Sequence, residues 1–373
     1  MTGLYITHET LYQGSGISKK ILAQKRGLEN SGVNMHLGCM QISGNIRSYV
    51  VDGRALFSLG RGILATIKYF SVFSPILDFV RENNISFVYI RYIHIATPFY
   101  IHFLKKLKRM GVLIFMEIPT YPYDIEHKND NWRMMVVNRV ERLSRKYFKK
   151  YVDKIVTVQD YDTIFGLSTI KISNCVDLKN VPFRTPLSHS SINLLGVANM
   201  QEWHGYDRLI EGLGLYYKKG GKEDVHLYLV GDNSNVIDCY RLLINKYDLK
   251  DIIHLEGIKE GKELNCYFDI ADLAIGGLAA HRKGVYEGKA LKCVEYAARG
   301  IPFIYSDINT DFDNCSFIKR VSQDDTPIDV NELLAFIEEQ KTSPAEIRQF
   351  VADNLTWDIQ MRKVLDEIIY EKF

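Results

Sequence analysis

A chain of 373 residues, 46% of them hydrophobic and 25% charged, has ordinary globular composition, and its length fits two domains that can each bury a core. A formal net charge of +2 excludes a general polyanion binder and with it a nucleic-acid partner, leaving room only for local basic patches. The cysteines at 39, 175, 239, 266, 293 and 315 form no C-x-x-C pair and no zinc-spaced cluster, so they read as small apolar groups of a reducing compartment.

The N-terminus, MTGLYITHETLYQGSG, lacks the basic start and apolar run of a signal peptide. No apolar stretch approaches the roughly 18 residues of a membrane span. The expected location is the cytoplasm, extending to the inner face of the cell membrane if a surface patch docks there.

Residues 4–7 read as a strand, followed by the loop Gln13-Gly14-Ser15-Gly16 and a helix over 17–31 that Gly32 ends. A strand follows at 35–40. The spacing predicts a helix over 75–83, with Ser74 as N-cap and Pro75 in its first turn. ISFVYIR at 85–91 is a buried-type strand, a helix runs on to Met110, and VLIFME at 112–117 is another strand. Residues 132–154 read as one long basic helix and 155–159 as a strand. The Ser-, Pro- and Asn-rich stretch that follows marks a domain boundary, placed between 183 and 184.

The second half repeats the alternation. Strands are expected at 192–197, 225–230, 252–255, 273–275 and 303–305. Helices are expected at 206–217, 236–247, 260–270, 289–299 and 331–340, with two more from about Pro344 and from Trp357. This pattern makes the chain α/β, with two Rossmann-like doubly wound domains, 1–183 and 184–356, facing across a cleft. Ligands of such sheets bind beyond the carboxyl ends of the strands.

The most informative stretch is 284–305, GVYEGKALKCVEYAARGIPFIY. Glu287 and Glu295 stand eight positions apart, about 80° past two full helical turns. They share one face only if Glu287 sits in a loop and Glu295 on the helix. Free N–H groups near Gly288, Lys289, Ala290 and Leu291 can then cradle a diphosphate. Lys289 adds a mobile charge, Glu295 can accept from a ribose diol, and Glu287 can reach sugar hydroxyls. The bland alternative is a surface helix with two solvated glutamates.

This segment resembles the E-x7-E region of retaining glycosyltransferases of family four, which adopt the two-Rossmann GT-B fold. The resembling residues are Glu287-Gly288, Leu291-Lys292, Glu295-Tyr296-Ala297 and Gly300-Ile301-Pro302. Other stretches match in the same order. Leu229-Val230-Gly231-Asp232 resembles the family's glycine turn, and Leu255-Glu256-Gly257-Ile258 the strand end that lies against the donor base. YFDIADL at 267–273 and KISNCVD at 171–177 are also similar. Trp357 resembles the residue opening a terminal helix, here 357–373, that crosses back onto the first domain. The resemblance implies an active hexosyltransferase in which Glu287 and Lys289 are catalytic. It also implies a nucleoside-diphosphate sugar donor, with UDP the expected nucleotide, retention at the anomeric carbon, and no cofactor or metal. D-x-D triplets at 160–162 and 311–313 read as loop residues.

One departure concerns charge. Where the family carries an Arg and a Lys after the first strand of the second domain, this chain has Asn199 and His204. Both can donate hydrogen bonds, but fixed positive charge is lost. Arg282, Lys283 and Lys289 are the expected replacements, with a solvated loop pair as the alternative for the first two.

In the first half, Gly14, Ser15 and Gly16 can let a bound group approach the backbone. Glu117, Thr120 and Arg91, with His94 beside it, are candidates for acceptor binding. A purely structural pairing is the alternative for Glu117. The run RVERLSRKYFKKYVDK at 139–154 is either a solvated basic face or a patch that docks on anionic lipid heads. By resemblance, the acceptor is a carbohydrate, including an undecaprenyl-linked saccharide of surface or capsule polysaccharide assembly. The competing readings are a non-catalytic partner subunit of another transferase and a nucleotide-sugar epimerase on the same fold. A dehydrogenase is disfavoured, because no G-x-G-x-x-G follows a strand.

Overall fold

The computed structural model describes residues 1–12, 15–123 and 132–372, with Trp132, Arg133 and Met134 described by backbone alone. Gly14 therefore lies outside the described residues. The chain divides into two compact units, Met1–Ser173 with Trp357–Phe373, and Asn174–Thr356.

The first unit runs β1 (Thr2–Thr10), α1 (Gly16–Asn30), β2 (Asn34–Ser43), β3 (Ile46–Val51), β4 (Arg54–Gly60), α2 (Gly62–Ser71), α3 (Ser74–Glu82) and β5 (Phe87–Arg91). It continues with α4 (Pro98–Arg109), β6 (Leu113–Ile118), α5 (Trp132–Ser144), β7 (Lys154–Thr157), β8 (Thr163–Ile164) and β9 (Leu167–Lys171). The sheet order is β4-β3-β2-β1-β5-β6-β7-β9-β8. Strands β2, β1, β5, β6, β7 and β9 pair in parallel, and the edges are antiparallel hairpins. Every residue of β5 is buried, as expected of a parallel strand covered on both faces.

The expected single helix over 132–154 is divided. The α-helix stops at Ser144 and a tighter 3₁₀ stretch spans Arg145–Lys150, leaving Phe148 fully buried in the core. The N-cap of α3 is Phe73 rather than Ser74, and no side chain caps it.

The second unit runs β10 (Ile192–Val197), α6 (Tyr206–Lys218), β11 (Val225–Val230), α7 (Ser234–Tyr247), β12 (Ile253–Gly257), α8 (Gly261–Asp269) and β13 (Leu273–Ile275). It ends with α9 (Leu291–Ala298), β14 (Phe303–Tyr305), β15 (Ile318–Arg320), α10 (Val330–Glu339) and α11 (Pro344–Asn354). Its sheet is parallel throughout, in the order β12-β11-β10-β13-β14-β15. This is the strand order of the doubly wound dinucleotide fold.

The chain enters the second unit earlier than the 183/184 junction expected. Arg348 donates to the carbonyls of Leu178 and Val181, both at 3.1 Å. Asn174 Nδ2 donates to the Lys289 carbonyl at 2.6 Å, and the Thr185 amide to Asp269 at 2.8 Å. The polar linker is thereby tied down along the second unit.

The last helix, α12 (Trp357–Lys372), belongs to the first unit and packs on α1. A Cβ at Gly27 would lie 2.7 Å from the Trp357 carbonyl oxygen, so glycine is what lets the two helices approach. Asn30 donates to Asp358 at 3.0 Å, and the Ser173 amide donates to Gln360 at 3.1 Å. Among the described residues no single helix is long and apolar enough to cross a membrane.

Candidate functional site

In the second unit β10 has β11 on one side and β13 on the other, so the carboxyl ends of β10 and β13 flank the point where the strand order reverses. Two buried tyrosines shape that point. The Tyr296 hydroxyl accepts from the Val197 amide at 3.1 Å and donates to the Ile275 carbonyl at 3.2 Å. It thus ties the two strand ends together. The Tyr206 hydroxyl lies 3.4 Å from the same carbonyl and accepts from Lys292 Nζ at 3.1 Å.

The helix that serves this point, α9, begins at Leu291 rather than at Lys289, with Ala290 as an N-cap that makes no side-chain hydrogen bond. The first-turn N–H groups of a helix have no intrahelical acceptor, so this end presents donors and a partial positive charge. Gly288 does not join that cradle, because its amide donates to the Ile308 carbonyl at 3.0 Å. Glu287 pairs with Ile308 through an isolated parallel bridge, which holds its backbone in a loop while its side chain is exposed. A Cβ at Gly288 would meet Asp307 Oδ2 at 2.7 Å, so that carboxylate would have to turn aside.

The cations are distributed differently from the expectation. Lys289 is salt-bridged to Asp311 at 2.9 Å. Arg282 is held by Asp207 through two bonds of 2.9 and 2.6 Å, by Asp325 at 2.8 Å and by the Glu202 carbonyl at 2.8 Å, so it braces the loop. Lys283 is exposed and lies over the Trp203 ring at 4.9 Å. The cation drawn inward is Lys292, on the first turn of α9. Burial pushes its ammonium down to about 8. A lysine at a helix N-terminus opposes the helix dipole, and this one is desolvated as well, so an anionic ligand would relieve both penalties.

Around Lys292 stand His204 and Asp307. His204 Nδ1 accepts from the Gln201 amide at 3.1 Å. Burial, with Lys292 and Lys283 adding to it, pushes the imidazole down to about 3. It is therefore neutral with its proton on Nε2, a hydrogen-bond donor without fixed charge. Burial pushes the Asp307 carboxyl up to about 6, against the Ser306 hydrogen bond and the two lysines.

Glu295 gives Oε1 to the Arg299 guanidinium at 3.0 and 3.2 Å. Arg299 is itself held by Asn265 and stacked on Phe268 at 3.7 Å. The partner one turn on fixes the direction of Glu295, which stays partly exposed. Gly231 is explained by packing, since a Cβ would lie 1.6 Å from the Ala198 carbonyl oxygen and its φ is 133°. Gly257 has φ 66° and turns the chain out of β12, leaving Ile258 exposed at the strand's carboxyl end. Asn199 is exposed just after β10. The D-x-D residues Asp311 and Asp313 are engaged in the protein, the first by Lys289 and the second by the Tyr305 hydroxyl at 2.9 Å.

In the first unit Ser15 is the N-cap of α1, accepting from the Ser18 amide at 3.2 Å. Gly16 has open space where a Cβ would stand and no positive φ. Nothing within the unit demands glycine there. Glu117 is not open to an acceptor. It is fully buried and receives Lys20 and Arg91 at 2.9 Å, and Gln24 and Tyr89 at 3.0 Å. Burial alone would raise its pKa, but the two cations and the hydrogen bonds of Lys20 and Gln24 prevail and hold it at about 2. Arg91 is committed to this network and is itself buried, although its Nε has no partner among the described residues. Thr120 is half-buried just after β6.

Residues that sequence reasoning missed are Lys292, Asp307, Tyr206 and Tyr296 here, and Lys20 and Gln24 in the first unit. Their signal was available. Lys292 is a cation in the first turn of a helix whose one other charged residue is Glu295, and Lys20 and Gln24 are one turn apart on the helix facing an acid-bearing buried strand.

No protein-family model matches the sequence, and no curated protein matches it. Solved structures do match in fold. Sucrose-phosphate synthase from Thermosynechococcus elongatus is 13% identical with a TM-score of 0.66, covering 99% of each chain. A glycosyltransferase from Rickettsia africae ESF-5 is 14% identical with a TM-score of 0.67, covering 98% of this chain and 97% of that one. WaaG, a glycosyltransferase involved in lipopolysaccharide biosynthesis, is 12% identical with a TM-score of 0.61, covering 99% of each. The two Rossmann-like units, with the last helix returned to the first, are the GT-B fold of these glycosyltransferases.

Proposed function

We propose that the protein is a glycosyltransferase that moves a hexose-type sugar from a nucleoside-diphosphate donor, UDP-linked, to a hydroxyl of a carbohydrate acceptor. The observation that carries this reading is the uncapped start of α9 at the strand-order reversal, with the desolvated Lys292 on its first turn. Donors and a cation so placed stabilise the diphosphate as negative charge develops on the leaving oxygen. His204 contributes a neutral N–H, and Lys283 a second cation nearby. Exposed Glu287 is positioned for the transferred sugar, Glu295 for the ribose, and exposed Ile258 for the face of the base. Lys289 acts indirectly, by fixing the loop through Asp311.

Resemblance to family four extends the proposal to retention at the anomeric carbon without a metal. A leaving phosphate oxygen would then take the acceptor proton on the same face. The acceptor would bind through the first unit, at Gly16 and Thr120. On the same unit α5 exposes Met135, Val136 and Leu143, and the 3₁₀ stretch after it exposes Tyr147, beside several cations. That mixture favours peripheral docking on the inner membrane face and a lipid-linked acceptor of polysaccharide assembly.

A thermal-shift panel of UDP-, GDP-, ADP- and CDP-sugars tests the proposal. One donor should raise the melting point by mass action, and Glu295→Ala should erase the rise. Slow donor hydrolysis abolished by Glu287→Ala would remove the non-catalytic partner reading. Donor epimerisation without an acceptor would instead establish the epimerase. A flat panel would defeat the transferase reading.

A further inference from the structure

The helix α2 turns an apolar side outward. A surface helix ordinarily hides its apolar stripe and shows polar residues. In α2 Ala65 is the buried residue, while Ile63, Leu64 and Ile67 are 81%, 69% and 56% exposed. At 3.6 residues per turn these three share an arc of about 100°, centred on the side away from Ala65. Strand register extends the patch. Ile42 pairs with Arg47, and Arg47 with Gly60, two residues before α2 begins. Exposed Ile42 and Ile46 therefore stand at the carboxyl end of the sheet, beside the start of α2.

The charges of this patch have one sign. Arg47, Arg61 and Lys68 are exposed and form no ion pair among the described residues. Arg61 and Lys68 flank Leu64 at i−3 and i+4. Glu9 lies close by, acting with Arg47 on the Tyr69 hydroxyl. Large aliphatic residues gathered side by side differ from the scattered single ones normal on a surface, and mark a place of contact. A second copy would set the three cations against their own counterparts across a two-fold contact, where they would repel. An anionic lipid surface suits both features, since it takes up aliphatic side chains and draws in cations. The pair α2 and α3 is apolar enough for a bent membrane-crossing pair by composition, but α3 commits Ile76, Leu77 and Val80 to the core. The ten residues of α2 alone reach about 15 Å, half of a hydrocarbon core, so the helix can lie in the interface and cannot cross it.

We infer that α2, with the β2–β3 turn beside it, inserts its aliphatic face into an anionic lipid surface. Docking there brings the lipid to the end of the sheet where Gly16 and Thr120 lie. The surface is built from other elements than α5, and it rests on no part of the donor chemistry.

The test uses the full chain without donor. Co-sedimentation with vesicles of phosphatidylcholine, alone or mixed with phosphatidylglycerol, is the first reading. Binding that prefers phosphatidylglycerol supports the inference if I63Q, L64Q and I67Q together weaken it by about tenfold or more, and R47Q, R61Q and K68Q together remove the preference. The second reading is L64W, whose indole emission should move to shorter wavelength on vesicles and be quenched by brominated acyl chains. Binding that the aliphatic substitutions leave intact, that K146Q with K149Q alone removes, or that shows no lipid preference overturns the inference, as does no vesicle binding at all. A dimer in sedimentation velocity that the aliphatic substitutions dissolve would give the face to a second copy and overturn it likewise. The three aliphatic side chains are exposed, so the melting curve should not fall; if it does, quenching of L64W decides alone.

Discussion

Replacing Lys292 by methionine separates what the residue costs from what it does. Burial takes its ammonium from an ordinary value near 10.5 to about 8. At about 1.4 kcal/mol per pH unit, that is roughly 3 kcal/mol against the charged form. Methionine keeps most of the stem and removes the charge, but loses the hydrogen bond to Tyr206 and the contact with its ring, worth about 1 kcal/mol together. The net expectation is an unliganded protein more stable by about 2 kcal/mol, a rise of roughly 4–8 °C in melting temperature for a unit of this size.

The same change should weaken donor binding by about tenfold or more, because a charge-assisted contact to the diphosphate is gone. In the wild type the folded value lies below the unfolded one. The unfolded state therefore holds the extra proton between about pH 8 and 10.5, and stability rises over that window. Donor binding should run the opposite way and weaken as pH passes 8. Differential scanning calorimetry without ligand, paired with donor titrations at several pH values, reads both effects. A variant that melts several degrees lower and still binds donor normally would refute the reasoning and make Lys292 a structural cation.

Further expectations follow from other contacts. Gly288→Ala brings a Cβ to 2.7 Å from Asp307 Oδ2, the far end of a side chain that can turn aside, and should cost no more than about 1 kcal/mol. Asp307→Ala in the same chain should recover much of that in a urea-melt double-mutant cycle, whereas simple additivity would contradict the contact. Glu117→Gln leaves Lys20 and Arg91 buried without their anion and should destabilise by about 3–5 kcal/mol, and a loss below about 1 kcal/mol in urea would argue against the network. Because the Glu117 carboxyl is held at about 2, its contribution is complete above about pH 4.5 and drains away as pH falls toward 2, which an acid titration of far-UV dichroism can follow. Asp307, raised to about 6, should be charged above that pH, so donor affinity should improve on acidification through 6. An affinity flat from pH 5 to 7 would place Asp307 away from the phosphates.

The fold was largely readable because parallel α/β units write themselves as short apolar runs separated by amphipathic stretches. FVYIR and LIFMEI are buried along nearly their whole length. The β3–β4 hairpin escaped notice although its turn, Asp52-Gly53, has the positive φ values, 49° and 78°, that such a dipeptide favours. The split of the 132–154 helix was not legible, because both halves share one apolar periodicity and only tertiary packing of Phe148 tells them apart. At the site, the carboxylate pair and the start of α9 could be located from spacing. Which cations are engaged could not, because the partners of Arg282 lie far along the chain, at Asp207 and Asp325. For Glu117 the sequence leaves acceptor binding and structural pairing both open until Lys20 and Gln24 are seen to face it.

Amide hydrogen exchange of the full chain, with and without a saturating nucleoside diphosphate, bears most directly on where the phosphates sit. Peptides spanning residues 286–295 should exchange more slowly when the nucleotide is bound, with slowing greatest at Ala290, Leu291 and Lys292. Tight nucleotide binding that protects other segments and leaves this helix start unchanged would contradict the account.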